Sequence, residues 1–114
     1  MPNLRDIGSA AEDRAAEFLL GLGYTIVTRR NKTRRGELDI IALDGEVLVF
    51  IEVKYRAAPG YSPEEALSES KIRALSQAIE IYILDMGIRP AQTRLDLIAI
   101  DKEGLRHYKD VLAP

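Results

Sequence analysis

The stretch Gly36-Glu37-Leu38-Asp39-Ile40-Ile41-Ala42-Leu43-Asp44-Gly45-Glu46-Val47-Leu48-Val49-Phe50-Ile51-Glu52-Val53-Lys54-Tyr55 reads as two strands, 38–43 and 47–55, joined by a tight turn at Asp44-Gly45. Aspartate followed by glycine is the strongest short hairpin signal, because both tolerate the positive φ of a primed turn. With Asp44 and Gly45 as the loop, Leu43 is expected opposite Glu46, Ile41 opposite Leu48, Asp39 opposite Phe50 and Glu37 opposite Glu52. Side chains alternate along a strand, so one face carries Leu38, Ile40, Ala42, Val47, Val49, Ile51 and Val53 and must be covered by a helix. The other face is apolar near the turn and charged at its open end, where Glu37, Asp39, Glu52 and Lys54 gather. Two carboxylates about 4 Å apart repel by about 4 kcal/mol at an effective dielectric of 20. A proton, a lysine or a cation must relieve that repulsion. Oxygen ligands of this kind suit Mg²⁺ or Mn²⁺, as one ion or two. Glu-x-Lys alone is a weak signal, but acids on a strand as apolar as Val49-Phe50-Ile51 need a reason.

Outward from the hairpin, residues 9–22 are predicted helical, with Ala11, Ala15, Phe18, Leu19 and Leu22 at helical spacing. Ser9-Ala10-Ala11-Glu12 fits a capping box, and Gly21-Leu22-Gly23 a stop. Residues 24–28 read as a strand running into Arg29-Arg30-Asn31-Lys32-Thr33-Arg34-Arg35, five cations in seven positions. Ser62-Pro63-Glu64-Glu65 is expected to open a long second helix with the stripe Ile72, Leu75, Ile79, Tyr82, Ile83 and Met86, stopped by Gly87 and Pro90. Residues 95–100 form a nearly all-apolar strand, expected to be buried on both faces, and 105–108 a short edge strand. The order α-β-β-β-α-β-β gives an α/β fold, a mixed central sheet flanked by helices, in a single domain over 1–114.

Composition narrows the classes. The chain is 46% hydrophobic and 30% charged, ordinary for a globular protein, with a net charge of −2. No apolar run approaches a membrane span, and the N-terminus has no apolar core of a signal peptide, so a cytoplasmic protein without membrane partners is expected. With no cysteine and one histidine, disulfides, thiolate metal sites and zinc-protease chemistry are excluded. There is no P-loop and no nucleophilic-serine arrangement. The lone His107 is read as a surface residue. The cations Arg29, Arg30, Lys32, Arg34 and Arg35 lead into the acidic site and are candidates to hold nucleic acid, with Arg56 and Lys71 extending the surface. Three phosphate contacts on duplex DNA would give a log K against log salt slope of about −2.7.

At residues 36–42 followed by Val49-Phe50-Ile51-Glu52-Val53-Lys54-Tyr55-Arg56, the chain resembles the YraN family of uncharacterised endonuclease-like proteins. That family is similar to the archaeal Holliday junction resolvases and to the restriction-endonuclease-like superfamily, whose hallmark is Asp and then Glu-x-Lys. The likeness extends to Gly8-x-x-Ala11-Glu12, Asn31, Lys71 and Arg94-Leu95-Asp96. It implies a restriction-endonuclease-like fold in which Asp39, Glu52 and the Val53 carbonyl bind metal, Lys54 orients the attacking water, Glu12 supports the metal and Glu37 stands behind the ligands. It also implies a homodimer acting on nucleic acid, DNA before RNA and branched or single-stranded forms among the candidates. A silent nucleic-acid-binding or scaffolding module is the main alternative, and a phosphoesterase with a small substrate is another.

Overall fold

The computed structural model describes residues 3–112. Helix α1 (Leu4–Gly21) comes first, then strands β1 (Thr25–Thr33), β2 (Gly36–Asp44) and β3 (Val47–Tyr55). Helix α2 (Glu69–Met86), β4 (Gln92–Asp101) and β5 (Gly104–Tyr108) complete the order expected from the sequence. The strands make one sheet in chain order, with β3 and β4 parallel and the other neighbours antiparallel. The crossover through α2 is what makes a parallel pair possible. Residues 95–100 are buried throughout, as an interior strand covered on both faces must be.

Helix α1 covers one face, packing Ala11, Ala15 and Leu19 on Ile40, Val49, Ile51 and Ile98. Helix α2 covers the other, setting Leu75, Ala78, Ile79 and Tyr82 on Ile41, Leu48, Phe50 and Leu95. Met86 was expected in that buried stripe but is exposed at the last turn of α2, beyond the sheet it would pack on. Gly87 caps α2 with φ 63.

Three local readings change. Helix α1 starts five residues before Ser9, with the Asn3 side chain accepting from the Asp6 amide at 2.9 Å, so Ser9 and Glu12 stand inside the helix and form no capping box. Ser62-Pro63-Glu64-Glu65 opens only a 3₁₀ turn (Pro63–Ala66); α2 is capped afresh by Ser68, which accepts from the Lys71 amide. The hairpin turn is Gly45-Glu46, with positive φ at Gly45 alone, the pattern of a type II′ turn. Leu43 therefore faces Leu48, and Ile41 faces Phe50. Carried to the open end, this register sets Asp39 opposite Glu52.

Candidate acidic centre

Pairing between β2 and β3 stops at Ile40↔Ile51. Beyond it, Val53 donates its amide to Asp39 Oδ2 at 2.9 Å, a side chain taking the place of a strand carbonyl. Pairing with β1 also skips this point, running from Arg29↔Ile40 to Asn31↔Leu38. The omitted Arg30 has φ 53, a left-handed conformation that is uncommon outside glycine. Leu38 joins the α2-side cluster, and Asp39 turns toward Glu12 on α1, so alternation slips by one between Asp39 and Ile40.

The slip opens a cleft of about 400 Å³ at the end of the sheet. Glu12 from α1, Glu37 and Asp39 from β2, and Glu52, Val53 and Lys54 from β3 all line it. Arg56 and Lys71 form its rim. Ligand oxygens of Glu12, Glu37 and Asp39 lie within 4.8 Å of one another. Asp39 and Glu52 line the same cleft, close enough for each to act on the other's charge. Burial, followed by the hydrogen bond and charge of Glu52, pushes the Asp39 carboxyl up to about 9. Burial also opposes charge on Glu52, but the bond from Asp39 and the neighbouring lysines outweigh it and hold that carboxyl below its ordinary value. Lys71 Nζ lies 3.3 Å and Lys54 Nζ 3.6 Å from Glu52 Oε2. Those are ion-pair distances, and this buried oxygen accepts no hydrogen bond within the protein. Crowded carboxylates, an orphaned buried oxygen and an all-oxygen donor set fit a hard divalent cation.

The basic stretch behaves differently from the expectation. It is strand β1 and its turn, and much of its charge is spent on acids of the helices. Arg29 Nη2 donates to Asp13 Oδ1 at 2.7 Å, Arg30 Nε to Glu12 Oε1 at 3.1 Å, and Arg34 lies 3.8 Å from Asp85. Arg30 Nη2 also donates to Ser9 Oγ. Lys32 and Arg35 make no ion pair among the described residues.

His107 is not a surface residue. Its ring is buried edge-on to Phe18 and Tyr24, and Nε2 bonds Asp96 Oδ2 at 2.8 Å. Asp96, fully buried, also takes two bonds from Arg94 (2.8 and 3.0 Å) and the Asp110 amide. Sequence reading passed over this network; an aspartate inside an apolar strand, the signal used for Glu52, would have flagged it.

Fold and site together define a class: a mixed α/β domain whose sheet opens at one end onto a buried and a half-buried carboxylate flanked by lysines. The chain belongs to the uncharacterised protein family UPF0102, whose model matches residues 11–100. It is 40% identical to a UPF0102 protein of Carboxydothermus hydrogenoformans, over 96% of this chain and 98% of that one. A relative of the same family from Symbiobacterium thermophilum is 42% identical over 85% of this chain and 83% of its own. No helix among the described residues is long and apolar enough to cross a membrane.

Proposed function

We propose that this chain hydrolyses phosphodiester bonds of nucleic acid, DNA first, as a divalent-metal-dependent endonuclease. The observation that carries this reading is the crowding of Asp39 and Glu52 in one cleft, with Lys71 Nζ 3.3 Å and Lys54 Nζ 3.6 Å from the same Glu52 oxygen. The resemblance to the YraN family and the restriction-endonuclease-like superfamily supports it. Asp39 and Glu52 would hold Mg²⁺ or Mn²⁺, with the Val53 carbonyl and Glu12 as further oxygen donors. When bound, such an ion polarises a phosphoryl oxygen and acidifies a water.

The protein's own part is electrostatic and positional. Lys54 presents a compact charge beside Glu52, where it offsets negative charge on the phosphoryl oxygens and orients the attacking water. Lys71, fixed in the first turn of α2, adds a second cation on the far side of Glu52. Arg30 restrains the Glu12 carboxylate through its bond at 3.1 Å. The proton that burial and Glu52 favour on Asp39 must leave before both carboxylates can act as ligands.

The test is cleavage of single-stranded, duplex and branched DNA with Mg²⁺ or Mn²⁺. Nicking is expected to need the ion, and to fall at least about 100-fold in Asp39→Asn and in Lys54→Ala. Tight nucleic-acid binding with no ion-dependent cleavage would replace the enzyme with a silent binding module.

A further inference from the structure

A second recess adjoins the acidic cleft across α1, sharing Gly8, Glu12 and Glu37 with it. Its own walls bring Arg5, Ser9, Arg30 and Lys32. Arg30 is spent on Glu12 and Ser9. Arg5 and Lys32 are different: neither makes an ion pair among the described residues, although acids hold Arg29, Arg30 and Arg34 close by.

Gly8 lines both recesses, together with Glu12 and Glu37. Glycine inside a helix costs stability relative to alanine, and a packing reason would normally be sought. None exists here, because a Cβ added at Gly8 would meet nothing within 4 Å. The missing side chain leaves open space where the two recesses share their lining.

We infer that Arg5 and Lys32 form a subsite for the phosphate next to the cleaved one, reached by a polynucleotide backbone that crosses α1 at Gly8. The inference deepens the nuclease reading and rests on it for the direction of the strand. The subsite would take a phosphodiester backbone, without reading bases. The groove that shares Arg56 with the cleft is lined by Glu65, Asp101 and Glu103 against Arg56 and Lys102, whereas the recess at Arg5 sets three cations against Glu12 and Glu37.

The experiment measures binding of fluorescent single-stranded and duplex DNA across a salt series, in the full chain carrying Asp39→Asn so that no cleavage intervenes. Adding Arg5→Ala and Lys32→Ala should flatten the slope of log K against log salt by about 1.4 on single strands or about 1.8 on duplex, and the larger loss of affinity identifies the preferred form. Arg89→Ala, beyond the end of α2, should leave the slope alone. Gly8→Ala should raise the melting temperature yet weaken binding severalfold, a combination that a purely structural glycine would not give. An unchanged slope in the double variant, unchanged binding in Gly8→Ala, or no DNA binding by the parent would each overturn the subsite. Cleavage by the wild type with an unchanged slope would sink the subsite alone; a flattened slope without cleavage would sink the enzyme alone.

Discussion

One proton decides the state of the acidic centre. In Asp39 the folded protein retains a proton that the unfolded chain loses near 3.8, because burial and Glu52 push the group up to about 9. The folded state therefore binds more protons across that window, and the stability contributed by this group is full below 3.8 and lost as pH rises toward 9. Without metal, Asp39→Asn should remove the declining limb and raise the melting temperature at pH 8 by on the order of 5 °C. Mg²⁺ should reverse the ranking, since an ion held only by the folded wild type stabilises it in proportion to ln(1 + [L]/Kd) and the variant has lost a ligand. Thermal melts at pH 5 and pH 8, with and without Mg²⁺, check both halves; a wild type that neither loses stability with pH nor gains it with the ion would show that the pair is an inert surface feature. Arg30 bears on the same site from the backbone. Its φ of 53 suits glycine, so Arg30→Gly should fold without the penalty of about 1–3 kcal/mol expected for Arg30→Val. Either substitution frees Glu12, and chemical denaturation separates backbone strain from the lost ion pair.

At the scale of elements, the hairpin shows what a sequence can specify. Its turn was read as Asp44-Gly45, but glycine stands first in the loop and the register lies two positions away. An even slip keeps Ile41, Leu43, Leu48 and Phe50 on their expected face, whereas a single-residue slip would have exchanged the faces. Glu52 and Lys54 stand where alternation puts them, and Asp39 lines the same cleft only through the slip beside Arg30. The departure at Leu38 and Asp39 could not be read, because it depends on the left-handed Arg30 in a neighbouring strand. The ion pairs of the basic stretch were hidden for a related reason. Its partners Glu12 and Asp13 lie 16–18 residues away on a helix whose start had been placed at Ser9, so the charges looked free. Burial of His107 was hidden because β5 is short and reads as exposed, while its partner Asp96 sits in β4. That network yields a prediction of opposite pH sign. Burial would raise the Asp96 carboxyl, yet bonds from His107, Arg94 and the Asp110 amide prevail and hold it below 3.8. Its contribution is present above 3.8 and lost as pH falls through that value toward the lower folded one. Asp96→Ala should cost about 1–3 kcal/mol by leaving His107 Nε2 and the Asp110 amide without their acceptor while Arg94 keeps only Asp44 and the Tyr24 hydroxyl, and should abolish that acid-induced loss in urea titrations between pH 5 and pH 3.

Across the whole molecule, the sheet is most secure where it is least involved in chemistry. The parallel β3–β4 pair lies at its centre, between both helices, and carries the longest unbroken register, Val47↔Gln92 to Tyr55↔Ile100. β1 and β5 are the edges, and β1 loses its regular pairing at Ile26–Thr28 and again at Arg30. The acidic centre sits at the border between these regimes: Glu52 and Lys54 ride on the central pair, and Asp39 on the strand whose pairing has already ended. One half of the centre is thereby rigid and the other adjustable, which suits a pair that must exchange a proton for a cation. Amide exchange should reveal this gradient, since local opening energies follow burial and hydrogen bonding. Amides of 95–100 are expected to exchange slowest, through global unfolding, and those of 25–33 and 104–108 orders of magnitude faster. Val53 is the diagnostic position. Its amide is bonded to the Asp39 carboxylate and not to a strand, so without an ion it should exchange faster than Ile51 and protection should rise selectively at Val53 and Ile40 when Mg²⁺ is added. Uniform protection along β3, unmoved by the ion, would mean that the open end of the hairpin is as fixed as the core and that no cation is held there.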